Sequence, residues 1–297
     1  MDNIKISQVC GLCAGCHYAI NTTIDELNKG NSVTIFKEIV HNKNVNNYLS
    51  SLGAKCVDSF ENLSKDDIII IRAHGEPPET YNLLDLEGFK YKDCTCHNVK
   101  AIHNLVKEHC DNGYKVIIIG KYKKAIHPEV LGTMGWAKNK AILIESEEDI
   151  DKLNEFKNDK FYLACQTTFN MEKADMLIDK IKTITTLNNC ELIVNKSICS
   201  AQKIINEYSK NLAKESDIMI VIGGAKSSNS LELYNNVNKV CPSIFIEDIH
   251  SYKLALQQQN LEITPSTKVG ITAGASTMKS ELNELKKLIE DDLKIKD

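Results

Sequence analysis

Cysteine is the residue type in this sequence whose spacing most directly suggests chemistry. Cys10-Gly11-Leu12-Cys13-Ala14-Gly15-Cys16 sets three thiols at Cys-x2-Cys-x2-Cys spacing, the local part of an iron–sulfur cluster motif. Thiolates are soft donors that suit iron–sulfur clusters or zinc. The chain carries 11 cysteines, and in a reducing compartment so many point to metal binding before disulfides. One by one, free cysteines are usually small buried hydrophobes, and Cys56, Cys110, Cys190 and Cys241 are read that way. A closed four-thiolate cluster would want a Cys-Pro nearby, yet Cys241-Pro242 is far along the chain.

A second group of residues suits an anion. Six apolar, β-branched runs are followed by polar or glycine-rich segments. These are Glu38-Ile39-Val40-His41-Asn42, Arg72-Ala73-His74-Gly75, and Gly120 with His127-Pro128-Glu129. The others are Gln166-Thr167-Thr168, Gly223-Gly224-Ala225-Lys226-Ser227-Ser228-Asn229-Ser230, and Ala273-Gly274-Ala275-Ser276. Gly lets a backbone approach a ligand, Ser, Thr and Asn supply donors, and a helix start supplies free N–H groups. Any one segment alone reads as a turn with an N-cap. Six in one chain read as a shared anion pocket at the carboxyl ends of strands. None is a P-loop or a Gly-x-Gly-x-x-Gly fingerprint, so neither an NTPase nor a nicotinamide enzyme is indicated.

The elements that must carry these residues alternate. Strands are predicted at 32–36, 67–71, 115–119, 141–144, 160–164, 191–194, 217–222, 243–246 and 268–272. Ile68-Ile69-Ile70-Ile71 and Val116-Ile117-Ile118-Ile119 are continuous apolar runs, which suit parallel strands covered on both faces. Helical patterns lie at 44–51, 99–109, 171–183, 201–213, 230–240 and from 280 to the end. The alternation predicts an α/β fold with parallel sheets.

The 297 residues suggest two domains, with one or three open, at roughly 100–200 residues per domain. Charged residues make up 26% and the net charge is −4, with Lys and Arg dispersed, so no nucleic-acid partner is expected. No apolar run nears the roughly 18 residues of a membrane span. The start, Met1-Asp2-Asn3-Ile4-Lys5, has no signal-peptide core, so a cytoplasmic location is expected.

Taken in order, the motifs resemble one family, the 4-hydroxy-3-methylbut-2-enyl diphosphate reductases (LytB family) of isoprenoid biosynthesis. Gly11-Leu12-Cys13-Ala14-Gly15, Asp93-Cys94-Thr95-Cys96 and Ser197-Ile198-Cys199 are similar to its three cluster segments. The two early histidine segments, His127-Pro128-Glu129-Val130-Leu131-Gly132-Thr133-Met134-Gly135, Gln166-Thr167-Thr168, Ser227-Ser228-Asn229-Ser230 and Thr272-Ala273-Gly274-Ala275-Ser276 resemble its remaining motifs, from about Val9 to Lys279.

The resemblance implies three α/β units in a pseudo-threefold trefoil around a central cavity, at 1–96, 97–198 and 199–297. It implies a [4Fe-4S] cluster on Cys13, Cys96 and Cys199, which lie 83 and 103 residues apart. Three thiolates leave one iron open, the coordination of a catalytic rather than a structural metal. The implied substrate is a small allylic diphosphate, held by His41, His74, His127, Thr168, Ser227, Ser228, Asn229 and Ser276. Glu129 is the implied acid and Thr167 its relay or the anchor of the substrate oxygen, since a carboxyl out of water near an anion has a raised pKa. A ferredoxin or flavodoxin is the implied electron donor.

The sequence departs from the family pattern at several places. Cys16 stands for a usual Val, His97 for a usual Pro, Glu76 for an apolar residue, and Gln202 for a Thr. Two alternatives follow: a paralogue with another substrate, or a non-catalytic electron carrier or redox sensor on Cys10, Cys13, Cys16 and a remote fourth thiol.

Overall fold

The computed structural model describes residues 3–294. The chain opens with β1 (Ile4–Ile6) and α1 (Ala14–Asn28). There follow β2 (Val33–Phe36), α2 (Lys43–Ser51), β3 (Lys55–Val57), β4 (Ile68–Ile71), α3 (Pro78–Leu86) and β5 (Lys90–Asp93). The middle of the chain holds α4 (His97–Asp111), β6 (Lys115–Ile119), α5 (Pro128–Trp136), β7 (Ile142–Ile144), β8 (Lys160–Cys165), α6 (Met171–Leu187) and β9 (Glu191–Asn195). The last part holds α7 (Ser200–Lys214), β10 (Ile218–Ile222), α8 (Ser228–Asn238), β11 (Ser243–Ile246), α9 (Tyr252–Gln258), β12 (Val269–Ala273) and α10 (Lys279–Lys294).

The strands form three parallel four-stranded sheets, ordered β3-β2-β4-β5, β7-β6-β8-β9 and β1-β12-β10-β11. Written from the other edge, the third is β11-β10-β12-β1, so all three share one topology. Each has its first and third strands inside and its second and fourth at the edges. The third repeat takes its fourth strand from the N-terminus: Ile4, Lys5 and Ile6 pair with Val269, Gly270 and Ile271.

The inner strands explain themselves. Ile69, Ile70 and Ile71 of β4 and Ile218–Ile222 of β10 are buried on both faces, and each such side chain contributes about 1.5–3 kcal/mol of burial free energy. All nine predicted strands are present. The three that periodicity misses, β1, β3 and β5, are short edge strands carrying Lys5, Lys55, Lys90 and Lys92. An edge strand pairs on one side only, and charge there discourages further pairing. Helices α1, α3, α5 and α9 are also unannounced; α5 includes Gly132 and Gly135, which lower helix propensity. The predicted C-terminal helix is α10, and residues 295–297 lie outside the described residues.

The chain forms two compact units. One comprises Met1–Ile24, Glu38–Ala54 and Ser200–Asp297; the other comprises Asp25–Lys37 and Lys55–Cys199. The first contains the sheet of β1, β10, β11 and β12, with Ile220, Ile244, Ile271 and Leu285 in its core. The second contains the other two sheets, with Ile117, Phe161, Leu163 and Ile181 beneath one and Phe36, Ile69 and Leu84 beneath the other.

Candidate functional site

Each of the three candidate ligand cysteines stands at the same place in its repeat. Each follows a fourth strand (β1, β5 or β9) and immediately precedes a helix (α1, α4 or α7). Each backbone N–H donates to the carbonyl two residues past the third strand: Cys13 to Ala275 at 3.0 Å, Cys96 to Ala73 at 3.0 Å, Cys199 to Thr167 at 2.9 Å. Two residues earlier a second bond fixes the same turn to the last residue of that strand. Gly11 N donates to Ala273 O, Cys94 N to Ile71 O, and Ser197 Oγ to Cys165 O.

All three thiols are half-buried and free of disulfides. A helix start favours the thiolate through its unpaired N–H groups and dipole. For Cys13 the shift is large. A hydrogen bond from the Cys16 thiol, aided by backbone N–H groups of Gly15 and Cys16, brings it down to about 6 against the opposing effect of burial. Within the second unit, Asn98 Nδ2 donates to Cys199 Sγ at 3.4 Å, tying the turn after Cys96 to the Cys199 sulfur. Sulfur ligands that accept hydrogen bonds are typical of tuned iron–sulfur centres. Three equivalent thiols, each at a helix start, are the donor chemistry such a cluster takes.

The polar set obeys the same repeat. His74, Thr168 and Ser276 are each the third residue after a third strand. After the first strands, the loops end on helix caps: Asn42, next to His41, caps α2, while His127 caps α5 and Ser227 caps α8. His127 Nδ1 accepts from Glu129 N at 3.2 Å, which leaves the proton of a neutral ring on Nε2, the donor an anion needs. His41 Nδ1 lies 3.1 Å from Glu38 Oε2. The His74 and His127 rings meet edge to face at 5.5 Å.

Three buried atoms in the first unit suit a polar ligand. Ser228 Oγ, Asn229 Oδ1 and Ser276 Oγ have no hydrogen-bond partner among the described residues. Leaving a buried polar group unpaired costs about 1–3 kcal/mol, so three at one cluster of loops imply a polar molecule that completes them. The backbone there is close-packed. A Cβ on Gly224 would stand 2.0 Å from His41 O, and on Gly274 2.1 Å from Ser230 Oγ.

Glu129, in the first turn of α5, is 3% exposed. Thr167 donates to both its oxygens, N to Oε1 at 2.6 Å and Oγ1 to Oε2 at 2.7 Å. Burial pushes the carboxyl up to about 7 despite those two bonds. Thr167 is thus a junction, its N–H and hydroxyl on Glu129 and its carbonyl under Cys199.

Sequence reasoning gave no supporting role to several residues. Gln166 is 2% exposed, accepts from Lys121 N at 2.9 Å and donates to Thr168 Oγ1 at 2.8 Å. Glu76 is 1% exposed and bridges Arg72 Nε and Lys37 Nζ, both at 2.7 Å. Asn98 is an ordinary polar residue that only its place two residues after Cys96 could have flagged, while Gln166 stood in the Gln166-Thr167-Thr168 motif without a role. The reading of Cys56 as buried is corrected: it lies exposed on edge strand β3, while Cys110 and Cys190 are half-buried and Cys241 is buried. His97 opens α4 on its exposed side.

Comparison with known proteins places the chain among described relatives. Residues 4–290 match the model of the family described as LytB protein. The 4-hydroxy-3-methylbut-2-enyl diphosphate reductase of Clostridioides difficile strain 630 is 36% identical, over 97% of this chain and 99% of the relative. The enzyme of that name from Thermoanaerobacter sp. strain X514 is 34% identical, over 92% of each. Among solved structures, E-1-hydroxy-2-methyl-but-2-enyl-4-diphosphate reductase from Plasmodium falciparum matches with a TM-score of 0.84 and 27% identity, over 96% of this chain and 87% of that one. A second, described as the terminal enzyme of the non-mevalonate pathway, matches at 0.72 with 32% identity, over 97% and 99%. Among the described residues no helix is long and apolar enough to cross a membrane.

Proposed function

The chain belongs to the LytB protein family, and on that premise we propose that it reduces 4-hydroxy-3-methylbut-2-enyl diphosphate. The products are isopentenyl and dimethylallyl diphosphate, formed in the last step of the non-mevalonate pathway. Two electrons and two protons enter, the bond from carbon to the hydroxyl oxygen breaks, a C–H bond forms, and water leaves. What carries this reading is the unpaired, buried trio of Ser228, Asn229 and Ser276 in a chain whose repeats each hold a thiol at a helix start.

Cys13, Cys96 and Cys199 hold a [4Fe-4S] cluster in this proposal. When bound, that cluster would relay the two electrons one at a time from the donor and would offer an open iron as a Lewis acid. His41, His74, His127, Thr168, Ser227, Ser228, Asn229 and Ser276 bind the diphosphate, whose oxygens only accept hydrogen bonds at neutral pH. His127 donates from Nε2, since its Nδ1 is engaged by Glu129 N. Glu129 keeps a proton at neutrality and gives it to the reacting end of the substrate, with Thr167 Oγ1 as its contact. A small ferredoxin or flavodoxin supplies the electrons, and the location is cytoplasmic.

A paralogue acting on another allylic diphosphate is the second reading. It is favoured by Gln202, which is 6% exposed in the first turn of α7 and stands where the family has Thr. Anaerobic reconstitution with iron and sulfide, followed by assay on 4-hydroxy-3-methylbut-2-enyl diphosphate with a chemical reductant, tests the first. Cys13→Ser, Cys96→Ser and Cys199→Ser should each abolish the cluster signal. A reconstituted cluster whose Mössbauer spectrum ignores added substrate would sink the reading in favour of a carrier.

A further inference from the structure

Cys16 is a second sulfur beside Cys13 that the proposed function does not use as a ligand. It lies three residues after Cys13 in the first turn of α1, where side chains at i and i+3 are neighbours. Its thiol donates a hydrogen bond to the Cys13 sulfur. Helix geometry puts their Cα atoms about 5 Å apart, inside the range a disulfide spans without backbone movement. The corresponding position is Val99 after Cys96 and Gln202 after Cys199, so only one of the three repeats pairs its ligand thiol with a second sulfur. Cys10 is engaged elsewhere, its Sγ donating to Ser7 O at 3.1 Å. Both Cys13 and Cys16 are half-buried rather than sealed in the core, so a small reagent can reach them.

Cys-x-x-Cys at the start of a helix, with one thiol hydrogen-bonded to the other, is the arrangement of dithiol–disulfide redox pairs. We propose that Cys13 and Cys16 form a reversible disulfide in the cluster-free chain, so that Cys13 has two mutually exclusive uses. The oxidant is a low-molecular-weight disulfide. The Cys13 sulfur attacks it, forming a mixed disulfide and releasing one small thiol; the Cys16 sulfur then attacks Cys13 and releases the second. The two protein thiols lose two electrons, and the reagent gains them as two thiols, which take up the two protons. The closed pair cannot ligate iron through Cys13. It also shields Cys13 from over-oxidation to sulfinic and sulfonic acids, which thiols do not reverse.

The inference rests on the proposed function only in taking Cys13 as a cluster ligand. The pairing itself is read without any cluster. The cluster-free full-length chain is equilibrated anaerobically with oxidised and reduced glutathione, quenched by alkylation, and mapped by mass spectrometry. A Cys13–Cys16 disulfide is expected, retained in Cys10→Ser and absent in Cys16→Val. The oxidised chain should take up iron and sulfide, followed by absorbance, only after a dithiol reductant is added, and oxidised Cys16→Val should carry glutathione on Cys13 in place of the internal bond. A bond from Cys13 to Cys10, or alkylation of both Cys13 and Cys16 while exposed Cys56 is glutathionylated, would overturn the proposal. The reconstituted parent and Cys16→Val are both assayed on substrate. If neither turns over, the reductase reading fails while the disulfide result still stands.

Discussion

At the scale of single residues, burial sets what each side chain does. Glu129 holds its proton to about pH 7 because no water reaches it. Turnover should therefore fall as pH rises through about 7. Glu129→Gln should keep the cluster spectrum yet lose turnover by about 100- to 10,000-fold, the usual contribution of a general acid. The same carboxyl ties stability to pH. Its folded pKa is raised, so its contribution is full below the unfolded value of about 4.3 and is lost as pH rises through about 7. Urea midpoints of the cluster-free parent and Glu129→Gln should diverge in favour of Gln between pH 5 and pH 8. The unpaired hydroxyls predict a second trade. Ser228→Ala and Ser276→Ala remove buried groups that have no partner. Thermal stability should hold or rise slightly, while calorimetry with inorganic diphosphate should show binding weakened about tenfold, the loss of about one charge-assisted hydrogen bond.

At the scale of elements, the segment after β4 does two jobs. It presents His74, and its Ala73 carbonyl anchors the Cys96 turn. Gly75, at φ +71°, turns the chain there, and a Cβ on it would meet the buried His103 ring at 2.6 Å. Arg72, Glu76 and Lys37 clamp the segment from below, and Trp136 Nε1 donates to Glu76 O at 3.1 Å. Restoring the family's apolar residue with Glu76→Leu should thus destabilise by about 3–5 kcal/mol, because Arg72 is left buried and unpaired. Arg72→Met added to it should recover most of the loss in a denaturant melt. In the other unit, Gly224→Ala puts a methyl against the His41 carbonyl, backbone against backbone, with nothing flexible to yield. It should lower the melting temperature and weaken diphosphate binding together.

At the scale of the whole molecule, one topology is used three times, and the N-terminus closes the last copy. Strand β1 is three residues long, yet it covers the edge of β12 and leads to the Cys13 turn. Deleting residues 1–6 should expose that edge. Hydrogen exchange should then speed up at Val269, whose N–H donates to Asn3 O, while amides of β4 and β8 in the other unit keep their protection. Loss of protection in all three sheets alike would show that β1 does more than complete its own.

The amino-acid order alone was enough to place nine strands, the six inner ones because strands buried on both faces must be largely apolar. It also carried the motifs that identify the family, since a glycine under a carbonyl or a cysteine before a helix tolerates few substitutes. It did not disclose the edge strands β1, β3 and β5, whose half-solvated positions admit Lys and Asp, nor β1's pairing across the length of the chain. The equivalence of Cys13, Cys96 and Cys199, and of His74, Thr168 and Ser276, became visible only in the strand order, because the copies share backbone geometry rather than side chains. The burial of Glu129 and Glu76 was likewise decided by packing. A carboxylate in a sequence has no dielectric surroundings until the chain has folded around it.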